Sequence, residues 1–108
     1  CGMSADEKRD YLKLYLLQQA KINRLNLMMK ENPLRRYKYK KMIKKSEALR
    51  EKIEKAVDRV DGGILSEVLS QRYLCGRSLE QTAEVLNYSK RQIERMHTQA
   101  VDKLKVIK

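Results

Sequence analysis

Apolar side chains recur every three or four residues in a long stretch of the N-terminal half, from Asp6 to about Lys30. Such spacing predicts one long helix with a coiled-coil-like seam, interrupted by a single glutamine. The seam consists of Tyr11, Tyr15, Gln18, Ile22, Leu25 and Met29. Further apolar residues widen this surface, so we expect the helix to be covered on more than one side; they are Leu12, Leu14, Leu16, Leu17, Leu27 and Met28.

A second long helix is predicted from about Pro33 to Val60, because Glu31-Asn32-Pro33 must interrupt the first one. Its apolar positions step by three and four again: Tyr39, Met42, Ser46, Leu49, Ile53, Ala56 and Val60. Two such helices with a short connection favour an antiparallel hairpin with arms roughly 40 Å long. The C-terminal half or a second protomer must then cover the remaining apolar surface, and we favour a homodimer formed through the hairpin.

Three shorter helices are predicted after Asp61-Gly62-Gly63, the natural junction between residues 1–60 and residues 61–108. The first runs from Ile64 to Leu74 and ends at Cys75-Gly76, since glycine favours helix termination. The second covers SLEQTAEVL and the third covers Ser89 to Leu104. With no phenylalanine or tryptophan, one proline and 36% charged residues, the chain is expected to be all-α.

Each of the last two helices begins with a capping-box pattern. Ser78 is followed three residues later by Gln81, and Ser89 by Gln92. In such a box the serine hydroxyl and the glutamine side chain each satisfy a backbone N–H group at the helix start. The boxes therefore predict two short helices separated only by Leu86, Asn87 and Tyr88.

The spacing of three residues sets the expected packing of these two helices. Ala83 is small enough to let the second helix approach, and Ile93 faces back into the angle between the helices. Asn87 falls at the turn position that needs a left-handed backbone, which asparagine tolerates better than most residues. The triplet indicates a helix-turn-helix, whose second helix enters the major groove of DNA. The alternative is an ordinary helical hairpin with a solvated charged face.

The outward face of the last helix carries side chains that suit base edges and phosphates. Arg91 or Arg95 is expected to bind guanine, Gln92 to bind adenine, and Glu94 either to select cytosine or to pair with Lys90. Tyr88 either binds a phosphate or, as we favour, fills the gap between the helices. The predicted base-reading residues are Lys90, Arg91, Gln92, Glu94 and Arg95. The predicted phosphate-binding residues are Arg77, Ser78, Tyr88, Ser89, Lys90, Thr98 and Gln99.

A formal net charge of +11 predicts a polyanionic partner. Residues 1–60 hold 17 lysines and arginines against 8 acidic residues, whereas residues 61–108 hold 8 against 6. An auxiliary basic patch is predicted at Arg35, Arg36, Lys38, Lys40, Lys41, Lys44 and Lys45. It is interpreted either as an arm that adds salt-dependent affinity for phosphates or as a solvated helix face.

The run from ILSEVLSQRYLCGRSLEQTAEVLNYS to AVDKL resembles region 4 of bacterial sigma-70 factors, which binds the −35 promoter element. The layout as a whole resembles sigma-region-4-like regulators of Gram-positive phages and prophages, such as the RinA and ArpU groups of late-gene activators. The resemblance implies a transcriptional regulator that binds double-stranded DNA. It also implies that the major groove is contacted by Lys90, Arg91, Gln92, Glu94 and Arg95. Thr82 and Asn87 depart from the apolar residue and the glycine that are usual in the family.

Other classes of function find little support in the sequence. His97 is the only histidine and no glycine-rich phosphate loop is present, so neither an enzyme nor a metal or cofactor site is expected. Two cysteines, no apolar run of about 20 residues and a polar start favour a cytoplasmic protein without a membrane span. The rival hypothesis is a protein-interaction module that docks on RNA polymerase or another factor through the hairpin and its methionines.

Overall fold

The computed structural model describes residues 2–60 and 63–106, and all regular secondary structure in those ranges is helical. Helix α1 covers Ala5–Glu31 and is followed by a 3₁₀ turn at Pro33–Arg35; α2 covers Arg36–Asp58. Helix α3 covers Ile64–Leu69 and continues as a π-helical turn at Ser70–Leu74; α4 covers Leu79–Leu86 and α5 covers Lys90–Lys103. The predicted all-α class, with a long hairpin before three shorter helices, is confirmed. Asp61 and Gly62 of the predicted junction lie outside the described residues.

Helices α1 and α2 pack side by side as an antiparallel hairpin. Tyr15 Oη donates a hydrogen bond of 2.7 Å to Glu54, and Arg50 donates one to Gln19. Nearer the tip, a buried cluster unites Ile22 and Leu25 of α1 with Tyr39 and Ile43 of α2. Residues with increasing numbers on α1 contact residues with decreasing numbers on α2, so the two helices run antiparallel.

The faces that the hairpin buries differ in detail from the predicted seam. Leu12, which was expected to be surplus apolar surface, is completely buried, whereas Tyr11 and Tyr15 are only partly buried. On α2, Ile43 and Val57 join the predicted positions in the core. The buried faces differ because α1 packs against the C-terminal helices as well as against α2.

One hydrophobic core joins the open end of the hairpin to the C-terminal helices. Leu12 and Ile53 of the hairpin meet Leu69, Tyr73 and other residues of the C-terminal half; the buried members are Leu12, Ile53, Ala56, Val57, Val60, Leu65, Leu69, Tyr73, Ala100, Val101 and Leu104. The Lys8 ammonium also donates to the Asp102 carbonyl oxygen at 3.0 Å. The C-terminal half therefore covers the start of α1, while Leu16, Leu17 and Leu27 remain 42%, 59% and 57% exposed.

The end of the π-helical turn lies against α1. The Cys75 N–H donates to the Ser70 carbonyl, and Gly76 then adopts a positive φ of 71°. This φ strains any residue other than glycine, and a Cβ at Gly76 would lie 3.0 Å from Leu16 Cδ1, so the leucine side chain would have to shift to make room. Cys75 itself is exposed at the end of this turn.

Candidate nucleic-acid interface

Both predicted capping boxes are present at the starts of α4 and α5. Ser78 Oγ accepts from the Gln81 N–H at 3.1 Å, and the Ser78 N–H donates to Gln81 Oε1 at 2.9 Å. The corresponding distances between Ser89 and Gln92 are 3.2 and 3.0 Å. Each box fixes the first turn of its helix, and hence the direction in which the helix leaves the turn.

The predicted packing triplet is confirmed. Ala83 and Ile93 are buried with Val68 of α3 in a small cluster between the helices. Asn87 ends α4 in the left-handed conformation, with φ 64° and ψ 41°, and the next residue, Tyr88, donates its N–H to the Ala83 carbonyl at 3.0 Å. These contacts hold α5 at a fixed angle to α4.

Thr82 is completely buried although it departs from the apolar residue usual in the family. Its hydroxyl donates to the Ser78 carbonyl at 2.8 Å, within its own helix. A buried hydroxyl with a hydrogen-bond partner avoids most of the cost of leaving water. Thr82 therefore does not leave an unsatisfied polar group in the core.

Helix α5 divides into a buried face and a polar face. Ile93, Ala100 and Val101 point into the protein. On the opposite side an open, shallow groove is lined by exposed side chains, namely Arg91, Glu94, Arg95, Thr98 and Gln99. Five of the predicted DNA-contacting residues thus lie on one outward surface, which we call the α5 face.

Two further predicted base readers have partners inside the protein. Gln92 Oε1 accepts from both the backbone N–H and the hydroxyl of Ser89, which leaves its amide N–H₂ group for a ligand. Lys90 forms an ion pair of 3.2 Å with Glu80 of α4, whereas its pairing with Glu94 was one of the expected alternatives. Glu94 makes no ion pair with any residue that the structure describes.

The predicted phosphate ligands surround the N-termini of α4 and α5. Arg77, Ser78 and Ser89 are exposed there, beside the partial positive charge of each helix end. Tyr88 remains 39% exposed at the turn, so our favoured expectation that it fills the gap between the helices is corrected. Val68, Leu79 and Leu86 occupy that gap instead.

A histidine–tyrosine pair behind the α5 face was not found from the sequence. His97 Nε2 lies 2.6 Å from the Tyr73 hydroxyl, and the two rings stack with centroids 5.5 Å apart. Burial lowers the pKa of His97 to about 4, and the nearby cations Arg72 and Arg9 add to this effect. Since the two residues lie on different elements, no local pattern reveals their contact.

We expect the low pKa of His97 to make stability depend on pH. The folded protein holds the imidazole neutral down to about pH 4, whereas the unfolded chain takes up a proton near pH 6.5. His97 therefore favours folding fully above pH 6.5, and this contribution is lost as the pH falls towards 4. Thermal melts between pH 7 and 5 should show a falling Tm, with a weaker slope in His97→Gln. Equal slopes in the two proteins would contradict this prediction.

The family model for sigma-70, region 4, matches residues 65–106. No curated protein and no solved structure matches the chain. The matched segment begins in α3 and contains all of α4 and α5. The helix-turn-helix of the C-terminal part is therefore similar to sigma-70 region 4, which is a DNA-binding regulatory domain. The hairpin lies outside the match.

The described residues were also compared with the requirements of a membrane span and of a metal site. None of their helices is long and apolar enough to cross a membrane. No group of three or more histidine, cysteine, aspartate or glutamate side chains in these ranges is placed to hold a metal ion.

Proposed function

We propose that the chain is a sequence-specific regulator of transcription that binds double-stranded DNA through the α5 face. The observation that carries the proposal is the exposure of Arg91, Glu94 and Arg95 together on a helix whose opposite side is buried. The major groove, about 12 Å wide, accepts such a helix and presents donors and acceptors that these side chains match. The family match of residues 65–106 supports the same conclusion.

The side chains of α5 fit defined contacts in that groove. Arg91 or Arg95 donates two parallel hydrogen bonds to guanine O6 and N7, and Glu94 accepts from cytosine N4. Gln92 donates to adenine N7 through its amide group, because a bidentate contact would require its Oε1 to leave Ser89. Lys90 reaches a phosphate or a base edge from a surface ion pair that contributes little energy. Phosphate contacts come from Arg77, Ser78, Tyr88, Ser89, Lys90, Thr98 and Gln99.

The finer setting of this activity follows from the resemblance. We place the protein at promoters in the cytoplasm of a bacterium, as a regulator encoded by a phage or prophage, with RNA polymerase as a further partner. The match to sigma-70 region 4 supports the promoter part of this proposal. Residues 61–108 act in it as the DNA-binding domain and residues 1–60 as a helical extension fixed to that domain by the shared core.

Selection from a pool of random duplexes at near-physiological salt tests the proposed function. We expect repeated binding and amplification to enrich one short motif, because the α5 face discriminates base edges. Binding to every duplex with equal affinity, without an enriched motif, would overturn sequence-specific recognition. Two half-sites about 10 base pairs apart, or at a multiple of this distance, are expected if two protomers bind together.

A homodimer through the hairpin is the partner arrangement that we propose for such paired half-sites. Support comes from an exposed stripe on α1 that steps by four and three: Lys13, Leu17, Ala20, Arg24, Leu27 and Glu31. In an antiparallel pair of α1 helices centred on residue 22, Leu17 faces Leu27 of the second copy, and Lys13 faces Glu31. Such a two-fold interface pairs leucine with leucine at its centre and opposite charges at both ends.

Exchanging the two end charges tests this dimer. Lys13→Glu places two carboxylates opposite each other at both ends of the interface, so it is expected to shift the protein towards monomer in sedimentation velocity. Glu31→Lys should do the same, whereas the double variant restores both ion pairs and the dimer. Equal association of all four proteins would contradict the proposed pairing.

The second candidate function is a protein-interaction module that uses the helix-turn-helix as a scaffold. The observation that favours it is the exposed apolar surface on α1, where Leu17 and Leu27 are 59% and 57% exposed. Methionine side chains beside it, Met28 and Met29, adapt readily to partners. Under this alternative, replacing Arg91 and Arg95 leaves function unchanged and replacing Leu17 and Leu27 abolishes it.

A further inference from the structure

Seven basic side chains project from the tip of the hairpin and the first half of α2. This basic arm comprises Arg35, Arg36, Lys38, Lys40, Lys41, Lys44 and Lys45, all of which are exposed. The sequence from residue 32 to residue 46 contains no acidic residue. Within the described chain, no member of the basic arm forms an ion pair.

The second half of α2 has an exposed face of mixed charge, in contrast to the basic arm. Glu47, Glu51 and Glu54 alternate with Lys52 and Lys55 there. Glu51 and Lys55 form an i,i+4 ion pair of 3.3 Å. Solubility alone therefore does not explain the uniform sign of the basic arm.

The basic arm opposes the stability of its own helix in two ways. Lys40 with Lys44, and Lys41 with Lys45, place like charges at i,i+4, an arrangement that destabilises a helix. Arg36 and Lys38 lie in the first turn of α2, where the helix dipole disfavours cations, and that turn has no acidic residue. Local folding energetics thus favour a different sequence, which points to a ligand as the reason for the charge.

The tip adds exposed groups that can contact such a ligand. Leu34 is 97% exposed and Tyr37 is 75% exposed. The Lys41 ammonium lies 5.3 Å from the centre of the Tyr37 ring. The ammonium and the phenol hydroxyl are therefore neighbouring hydrogen-bond donors for an anionic ligand. Neither Leu34 nor Tyr37 belongs to a buried cluster in the described structure.

We propose that the basic arm binds the phosphate backbone of duplex DNA that flanks the sequence contacted by α5. The inference rests on the proposed function, because the shared core holds the hairpin on the DNA-binding helices. Arg36, Lys40 and Lys44 follow one another at about 6 Å, one helical turn, and form a line of charge rather than a pocket for one anion. A duplex offers a matching line, with one phosphate charge per about 1.7 Å of its axis.

The test compares two variants of equal net charge on two lengths of DNA. In the arm variant, Lys40, Lys41, Lys44 and Lys45 become glutamine; in the control variant, the exposed residues Lys52, Lys55, Arg59 and Lys105 become glutamine. The short duplex spans only the selected motif, and the long duplex extends it by about two helical turns on each side. Affinity is measured for each protein and duplex over a range of salt concentrations.

We expect the wild-type protein and the control variant to bind the long duplex more tightly than the short one. The arm variant should not show this difference, and its salt slope on the long duplex should fall by about 0.9 for each phosphate that the arm no longer neutralises. Its preference for the motif should remain. Its Tm should equal or exceed that of the wild type, because the substitutions remove like-charge repulsion.

Equal affinities and equal salt slopes for the arm and control variants on the long duplex would overturn the inference. Loss of binding to anionic phospholipid vesicles in the arm variant, with DNA binding unchanged, would overturn it in favour of a membrane surface. If no motif is enriched but the arm variant still binds arbitrary duplexes more weakly, the proposed function fails and the arm's binding to phosphates stands. If a motif is enriched and the arm variant binds as tightly as the wild type, the function stands and the proposal for the arm fails.

Discussion

Replacing Arg91 and Arg95 together by alanine is expected to lower affinity for the enriched duplex by roughly 2–6 kcal/mol, or about 30-fold to 20,000-fold. Both arginines are exposed on the α5 face, and each bidentate contact that one of them makes with a guanine is expected to contribute about 1–3 kcal/mol of discrimination. Fluorescence anisotropy with a labelled duplex at near-physiological salt measures the loss.

The double variant Lys52→Ala, Arg59→Ala is the matched control for this experiment. It removes the same charge from exposed positions in the second half of α2 and directly after it, away from the α5 face. We expect it to retain most of the affinity, and we expect both variants to keep the wild-type Tm because none of the four side chains is buried. Equal losses in the two variants would show that net charge, and not the α5 face, controls binding.

Leu12→Ala is expected to lower the free energy of unfolding by about 2–5 kcal/mol, the usual cost of a cavity in a packed core. Leu12 is completely buried where the hairpin meets the C-terminal helices. The substitution should therefore weaken α5 as well as α1. Hydrogen exchange measures this directly, because amides of both helices should lose protection together.

Leu34→Ala serves as the control, since it makes the same chemical change at a leucine that is 97% exposed. It should alter stability by less than about 0.5 kcal/mol. Loss of protection confined to α1 in the Leu12→Ala variant would contradict a shared core. It would indicate instead that residues 1–60 and 61–108 unfold independently.

Features that depend on neighbouring residues were predictable from the sequence. Ser78 and Ser89 each form a capping box with the glutamine three residues later in the chain. Asn87 adopts a left-handed conformation, which asparagine tolerates better than most residues. Such effects act within one turn, so the sequence pattern contains all the information they need. The helix-turn-helix could therefore be predicted from the sequence.

Features that depend on tertiary packing were not predictable in the same way. Periodicity identified the additional apolar surface on α1, including Leu12, but it did not decide whether the C-terminal half or a second protomer covers that surface. The contact between Tyr73 and His97, and the exposure of Cys75 and Tyr88, likewise depend on how separate helices meet. Contacts of the α5 face with DNA remain predictions, because they depend on a second molecule.

Recognition of guanine by α5 is tested most directly by removing one acceptor atom from the DNA. Each guanine of the enriched motif is replaced in turn by 7-deazaguanine, which lacks N7 in the major groove and keeps the Watson–Crick face. For one guanine, the wild-type protein should lose about 1 kcal/mol of binding free energy, the value of one hydrogen bond. The Arg91→Ala or Arg95→Ala protein should lose nothing further at that position. No loss at any guanine in the wild type, or the same loss in the wild type and both variants, would contradict recognition by these arginines.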